Sequence, residues 1–394
     1  LDLSAWDTRS LKTMGQAFQN CTSLTKLNVS GWDVSKVSDL TSVFSGCSSL
    51  VTADMTGWNP SRASLLAGMF EGCVSLGSLD LSSWDVSAAT DLSKLFSGCK
   101  SLSTLNLSGW NLPRAGSVSS MFSGCSALKT LNLSGWQISG TSNMTGVFTG
   151  LRLASALDVS NWVISGSPTL SGIFAPISSL KTLDLSSWDV SKATSLKGLL
   201  SGCVSLESVD VSGWDVSAVT DLSSVFSGCA SLASLDASHW NLAHVRSLSR
   251  IFSGCSSLTS LDLSSWNVSR VTDLSYAFSG CTSLRTLSLS GWDTSHVTSV
   301  TGMFSECKAL SDLNLSACKA STARQLLRAL SAPAKLTSLH LEGVNVAGAT
   351  DLSGMFQNLS SLTTLNLSGW DVSSVTDFSS MFAGCSSLES LSLG

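Results

Sequence analysis

Acidic and amide side chains recur in this chain at a fixed step of 26: Asp2, Asn28, Asp54, Asp80, Asn106, Asn132, Asp158, Asp184, Asp210, Asp236 and Asp262, continued by Ser288, Asn314, His340 and Asn366. Ser or Thr flanks most of them two residues away on either side. Lined up on parallel strands, successive carboxylates would lie about 4.8 Å apart and repel. Relief would come from hydrogen bonds of the flanking hydroxyls, from raised pKa values, or from a cation. Calcium takes about six to eight oxygens from varied directions, which a flat ladder supplies poorly, so no metal is assigned. The row reads either as a solvated ladder or as a binding face for glycan, peptide or ion. Asp158, Asp184, Asp210, Asp236 and Asp262 form that candidate binding face.

Cysteine follows the same step in eleven of its twelve occurrences, from Cys21 and Cys47 to Cys385; Cys318 is the exception. Equivalent positions in stacked coils set thiols side by side with parallel Cβ vectors, which is poor disulfide geometry. Buried free thiols acting as small core residues are expected, with Cys307 and Cys318 left open as a bonded pair. No C-x-x-C spacing suggests zinc. The four histidines (His239, His244, His296, His340) join no Ser–His–Asp or Cys–His set, and the glycines form no phosphate loop. The chain is therefore read as no enzyme, with no cofactor. Lys319, Arg324, Arg328 and Lys335 make the densest cationic cluster and are a candidate partner patch. Asn-x-Ser/Thr sequons give candidate glycosylation sites at Asn20, Asn358, Asn143 and Asn267.

The elements that carry these groups follow from the rarest residues. All thirteen tryptophans fall on the series Trp6, Trp32, Trp58 and onward to Trp370, and thirteen of the fourteen phenylalanines on the series Phe18, Phe44 and onward to Phe382. No insertion or deletion breaks the register, which requires a repeat array rather than a two- or three-domain enzyme. Dividing 394 by 26 gives about fifteen units with four residues over. Positions in a unit are numbered here from residue 1. Positions 24, 1 and 3 are Leu or Val in most units, and 1 and 3 alternate with polar 26, 2 and 4, the period of a half-buried strand. One strand per unit at constant register gives parallel stacking. Apolar residues at 14, 17 and 18 predict a short helical turn, with Thr or Ser at 12 and Asp at 13 as its start and Gly at 20 as its stop. The Trp row is expected in the core, with an aromatic platform for sugars as the alternative. Drift from the pattern concentrates at 137–182 and 306–346. In the second region Cys318 and Val344 replace Trp, Leu330 replaces Phe, and Ala320–Ala332 is a strong helix former.

The phrase Leu-x-x-Leu-x-Leu-Ser-x-Trp, as at Leu128–Trp136, resembles a leucine-rich repeat in which Trp replaces the usual Asn. The whole unit, with its Trp, Phe and Gly-Cys spacing, resembles the BspA-like 26-residue repeat of bacterial surface proteins. The resemblance covers the entire chain. It implies a right-handed leucine-rich-repeat-like α/β solenoid with one parallel β-sheet and short helical turns on the opposite side. It also implies an extracellular or cell-surface protein of adhesive or structural type, without catalysis.

Composition agrees with a repeated core. Charged residues are 12%, apolar residues 43%, and the net charge is −5 with no basic block, which argues against nucleic acid. Mean hydropathy is +0.29, yet no 18-residue apolar run exists to span a membrane. The chain opens and stops in mid-pattern without capping units, so residues 1–394 are expected to be a single array that is a fragment of a longer one. Two functions follow as expectations: a structural or adhesive protein whose copies associate end to end as filament subunits, or a recognition module binding protein or glycan on the polar sheet face.

Overall fold

The computed structural model describes residues 1–138, 143–152, 156–164, 170–330 and 335–393. The chain divides into two compact units, Leu1–Trp214 and Asp215–Gly394. In the first, three-residue strands β1 (Lys26–Asn28) and β2 (Thr52–Asp54) pair in parallel. Further on, β3 (Thr104–Asn106), β4 (Asn111–Leu112), β5 (Thr130–Asn132), β6 (Gln137–Ile138), β7 (Ala156–Asp158) and β8 (Val163–Ile164) form two ladders, β3-β5-β7 and β4-β6-β8. A last pair joins β9 (Thr182–Asp184) to β10 (Ser208–Asp210). The second unit holds β11 (Ser260–Asp262), β12 (Thr286–Ser288), β13 (Asp312–Asn314), helix α1 (Ala320–Arg328) and β14 (Ser338–His340), then β15 (Thr364–Asn366) and β16 (Ser390–Ser392). There β11 to β14 form one four-stranded ladder and β15 pairs with β16. Every pairing is parallel and matches equivalent positions, as in Leu27 with Ala53 and Leu287 with Leu313.

The expected solenoid coil with its parallel strands is therefore present, with two differences. The sheet runs as a succession of short ladders within each unit. The 14–20 segment, expected as a helical turn, is a chain of tight turns. Its apolar residues do face the core, but position 16 has positive φ, as at Ser42 (54°), Lys94 (57°) and Arg250 (58°). A left-handed residue in mid-segment stops any α-helix. The N–H groups instead bond sideways to the next coil: Leu40 to Leu65 O (2.8 Å), Ser42 to Ala67 O (2.9 Å), Phe44 to Met69 O (2.8 Å) and Gly46 to Glu71 O (2.7 Å). Gly at 20 does turn left-handed as expected. At Gly254 (φ +78°) a Cβ would sit 3.4 Å from the Cα of Gly228 in the coil before, so the left-handed conformation more than the space favours glycine at this corner.

Helix appears among the described residues where the period drifts, at α1. Residues 331 and 332 of the expected helical stretch lie outside the described residues. Thr322, Ala323, Leu326 and Leu327 of α1 are buried while Ser321 and Arg328 are exposed, the pattern of a helix laid on a core.

Inside each unit the aromatics stack as columns. In the first, Trp32 lies 6.0 Å from Trp6 and 6.3 Å from Trp58, and Phe70, Phe96 and Phe122 follow at 5.7 and 5.8 Å. In the second, Trp240 meets Trp266 at 5.9 Å, and Phe252, Phe278 and Phe304 are spaced 5.9 and 5.8 Å. Burying a Trp contributes about 4–6 kcal/mol gross, before entropy, so the core reading of this row holds and a sugar platform does not form. Most of the buried indoles also tie two coils together. Trp58 Nε1–H donates to Val29 O (3.0 Å), Trp136 to Leu107 O (2.7 Å) and Trp292 to Leu263 O (2.9 Å).

The cysteine column makes a second tie of this kind. Cys73 Sγ–H donates to Phe44 O (3.1 Å) and Cys281 to Phe252 O (3.1 Å). All twelve cysteines are free thiols, and burial pushes the Cys73 thiol up to about 12. Cys307 and Cys318 are not bonded to each other. Cys307 donates to Phe278 O, while Cys318, standing in a Trp slot, donates to Leu289 O (3.4 Å) as the indole would.

Candidate functional site

The Asp/Asn row takes up a local task that its charge did not advertise. Each Oδ1 accepts the backbone N–H two residues on: Ser160 to Asp158 (3.0 Å), Ser186 to Asp184 (2.9 Å), Ser212 to Asp210 (2.9 Å), Ser238 to Asp236 (3.0 Å) and Ser264 to Asp262 (3.0 Å). Asn106, Asn132, Asn314 and Asn366 do the same. These are Asx-turns that fold the chain out of each strand. The motif repeats at position 7, where Asp33 accepts from Ser35 N–H, and at position 13, where Asp39 accepts from Thr41 N–H.

The electrostatics follow from this geometry. Hydrogen bonds from the hydroxyl and N–H of Ser264 hold the Asp262 carboxyl below its usual range, and those of Ser238 do so for Asp236. Of the three remedies for crowded carboxylates, the structure uses hydrogen bonds. All five Asp side chains of the candidate face remain exposed. Asn serves the same turn, so Asp262→Asn is expected to leave stability nearly unchanged. Asp262→Ala is expected to cost about 0.5–1.5 kcal/mol. Urea unfolding measures both, and an equal loss in the two variants would assign the effect to charge rather than to the turn.

Ionisable side chains without this turn duty gather on the outer face of β11 to β14. His340, at the end of β14, lies with Nε2 3.1 Å from Asp312 Oδ1 and Nδ1 3.9 Å from Glu342 Oε1. Ser338 Oγ is 3.1 Å from Nε2, and Ser316 Oγ–H donates to Glu342 Oε2 (2.9 Å). The Glu342 carboxyl is held below its usual range, first by its own backbone N–H and then by Ser316. Asp312, Ser316, His340 and Glu342, together with Asp262, Ser288 and Asn314, line a shallow depression of about 490 Å³. Among the described residues no three His, Cys, Asp or Glu groups are placed to hold a metal ion.

His340 was visible in the sequence as a member of the position-2 row, but Asp312 and Glu342 were missed. Their signal lies in the columns. Asp312 stands at position 26, where its neighbours in the series are Thr286 and Ser338, and Glu342 at position 4, between Ser316 and Ser368.

The cationic cluster is brought together only in part. Lys319 pairs with Asp293 (2.7 Å) and Arg324 with Asp351 (2.7 Å), so both are neutralised within the unit. Lys319 also draws the Asp293 carboxyl down to about 2. Arg328 and Lys335 are exposed. The four candidate glycosylation residues Asn20, Asn143, Asn267 and Asn358 are all exposed as well. Asn143 and Asn267 accept turn N–H groups from Thr145 and Ser269, while Asn20 and Asn358 adopt φ of 58° and 65° in the Gly slot. No helix among the described residues is long and apolar enough to cross a membrane.

The model of one protein family, described as "Mycoplasma protein of unknown function, DUF285", matches residues 1–102, 50–162, 143–260, 233–335 and 324–392. No curated protein matches the sequence. Among solved structures, a leucine-rich repeat protein from Bacteroides ovatus is 18% identical, with 83% of this chain and 87% of that one covered and a TM-score of 0.42. A leucine-rich repeat protein from Leptospira interrogans is 17% identical over 96% and 90% of the two chains, with a TM-score of 0.29. The functional domain of InlJ from Listeria monocytogenes, which includes a cysteine ladder, is 17% identical over 91% and 70%, with a TM-score of 0.24.

Proposed function

The chain belongs to the DUF285 family, a group of BspA-like leucine-rich repeats, and from that premise we propose a non-catalytic extracellular or cell-surface protein that captures a protein or glycan partner on the outer face of β11 to β14. One observation carries the reading. Most aromatics and thiols are interior and the Asp side chains at positions 2, 7 and 13 cap turns, whereas Asp312, His340 and Glu342 stand together in a concave polar surface without either task. An imidazole between two carboxylates offers donors and acceptors in fixed directions, suited to hydroxyl or amide groups of a ligand. Rigid strands hold the three at set spacing, and the hydroxyls of Ser338 and Ser316 orient two of them.

The test is capture by the intact chain on a glycan array and on a panel of purified surface proteins. Replacing the three residues together (D312N, H340A and E342Q) is expected to weaken capture by about tenfold or more, since hydrogen bonds to charged groups contribute about 1.5–3 kcal/mol. Thermal unfolding should be unchanged, because all three side chains are partly exposed. Undiminished capture by the variant removes this face from consideration. The reading does not require end-to-end assembly of copies.

A further inference from the structure

In the regular coils, N–H groups at positions 14, 16 and 18 reach across to carbonyls of the following coil. Leu274 donates to Ser299 O (2.9 Å), Tyr276 to Thr301 O (2.9 Å) and Phe278 to Met303 O (3.0 Å). The same bonds reappear further on, from Leu352 to Asp377 O (3.0 Å) and from Gly354 to Ser379 O (2.8 Å). Between these two places the rung is missing, because α1 occupies its coil. The N–H groups of Val300, Gly302 and Phe304 meet no backbone acceptor among the described residues. The position-13 bridges tell the same story: Asp221, Ser247, Asp273 and Ser299 are linked in series, and the next described link is Asp351 with Asp377.

The opening is lined and charged in a particular way. A groove of about 1140 Å³ runs over α1, with Val300 and Gly302 on one wall, Asp351 and Leu352 on the other, and Arg324, Gln325 and Arg328 from the helix. On the far wall a side chain already stands in for the absent rung. Arg324 Nε–H donates to Ser353 O (3.1 Å), the position-15 carbonyl that a regular coil would serve with a backbone N–H. Gln325 ties the helix to the near wall through Thr294 Oγ1–H (2.6 Å) and Val297 O (3.3 Å). Arg328 is exposed and makes no ion pair among the described residues, whereas Arg324 is paired with Asp351.

We propose that this groove takes an extended, acidic peptide segment of a protein partner, which supplies the missing rung over α1. Main-chain carbonyls of the segment accept from Val300 and Gly302 N–H, as an added strand does at an open sheet edge. A carboxylate of the segment meets Arg328, a guanidinium suited to two-pronged recognition. A helical segment would present no free carbonyls to this wall, so the occupant is extended. This surface is separate from the Asp312, His340 and Glu342 face and does not depend on it.

The probe is an acetylated, amidated octapeptide of alternating threonine and aspartate, added to the intact chain while amide exchange is followed by NMR. In the free protein, Val300 and Gly302 amides should exchange about tenfold or more faster than those of Leu274 and Tyr276. Peptide should slow them by about tenfold or more at saturation. Arg328→Glu should weaken peptide binding by at least about tenfold without altering the exchange of the free protein. The D312N, H340A and E342Q variant should bind the peptide as the parent does. Four results would overturn the proposal: equal protection of the four amides without peptide, binding that leaves Val300 and Gly302 unprotected, equal binding of the peptide with lysine in place of aspartate, or no binding at millimolar peptide.

Discussion

Trp136→Ala is expected to be among the most damaging single substitutions in the chain, lowering stability by about 3–5 kcal/mol through the cavity alone. Trp136 is fully buried. Its ring stacks on Trp110 at 6.4 Å and Trp162 at 5.5 Å, and packs on Phe122 at 6.5 Å. Alanine would open a space between two coils that a repeated core has no spare side chain to fill. The loss does not end there. Leu107 O, which accepts the indole N–H at 2.7 Å, would be left without it, adding about 1–3 kcal/mol if the carbonyl stays dry.

Trp136→Phe should recover part of the stacking and none of the hydrogen bond. Trp6→Ala provides the contrast, for Trp6 is 61% exposed and should cost less than about 1 kcal/mol. Urea unfolding followed by circular dichroism and by tryptophan fluorescence measures all three. Because each coil rests on its neighbours, the damage should be local, and the two signals should cease to coincide in the Trp136 variant. A loss below about 1 kcal/mol for Trp136→Ala would mean that the column is not cooperative.

The core was legible in the sequence because its residues are rare and regular. Trp, Phe and Cys each occupy one inward slot per coil, and a fixed step leaves no freedom in how they stack. Polar positions were harder. The Asp/Asn row was read as charges on a sheet face, since alternation in a strand says which way a side chain points and not what it bonds. The missing clue is the doublet Asx-x-Ser/Thr at positions 2 and 4, repeated at 7 and 9 and at 13 and 15, which is the local signature of an Asx-turn. The same oversight produced the helical turn. Spacing of 14, 17 and 18 suits one turn of helix, but linked tight turns place the same residues inward, and only backbone φ at Ser42 or Lys94 separates the two.

The expected helix at 320–332 did form over Ala320–Arg328, because alanine-rich sequence there agrees with an apolar face. What it displaced was not legible. An open rung is a property of the neighbouring coils, whose own sequences are regular. Asp312 and Glu342 escaped notice for the opposite reason. Each is a single charged residue in a column of hydroxyls, inconspicuous along the chain and evident when coils are compared.

Acidification should unfold the protein between about pH 4 and pH 2, and the turns give the sign. Asp2, Asp54, Asp80, Asp236 and Asp262 are held below their ordinary value of 3.8 by N–H and hydroxyl groups two residues on. Asp33, Asp85 and Asp371 are lowered likewise at the second corner, and Asp351 and Asp377 at the third. Asp7, beside Arg9, is drawn down to about 2. A carboxyl that binds its proton more weakly when folded favours the folded state above the unfolded pKa. That contribution is lost as pH falls through the folded value. Each exposed corner counts for little alone, but most coils have such corners and each rests on the next.

General charge repulsion would act in the same direction, since at low pH the 22 Lys and Arg and four His are no longer balanced. Asn corners separate the two causes. Asn106, Asn132 and Asn366 hold their turns without titrating. A variant carrying Asn at 54, 80, 236 and 262 should therefore match the parent near pH 7 and unfold at lower pH, although both carry the same charge once protonated. Thermal unfolding by circular dichroism from pH 7 to pH 2 reads the difference. Identical profiles would assign acid lability to repulsion alone, and a flat parent profile would show that the corner carboxylates contribute nothing to the fold.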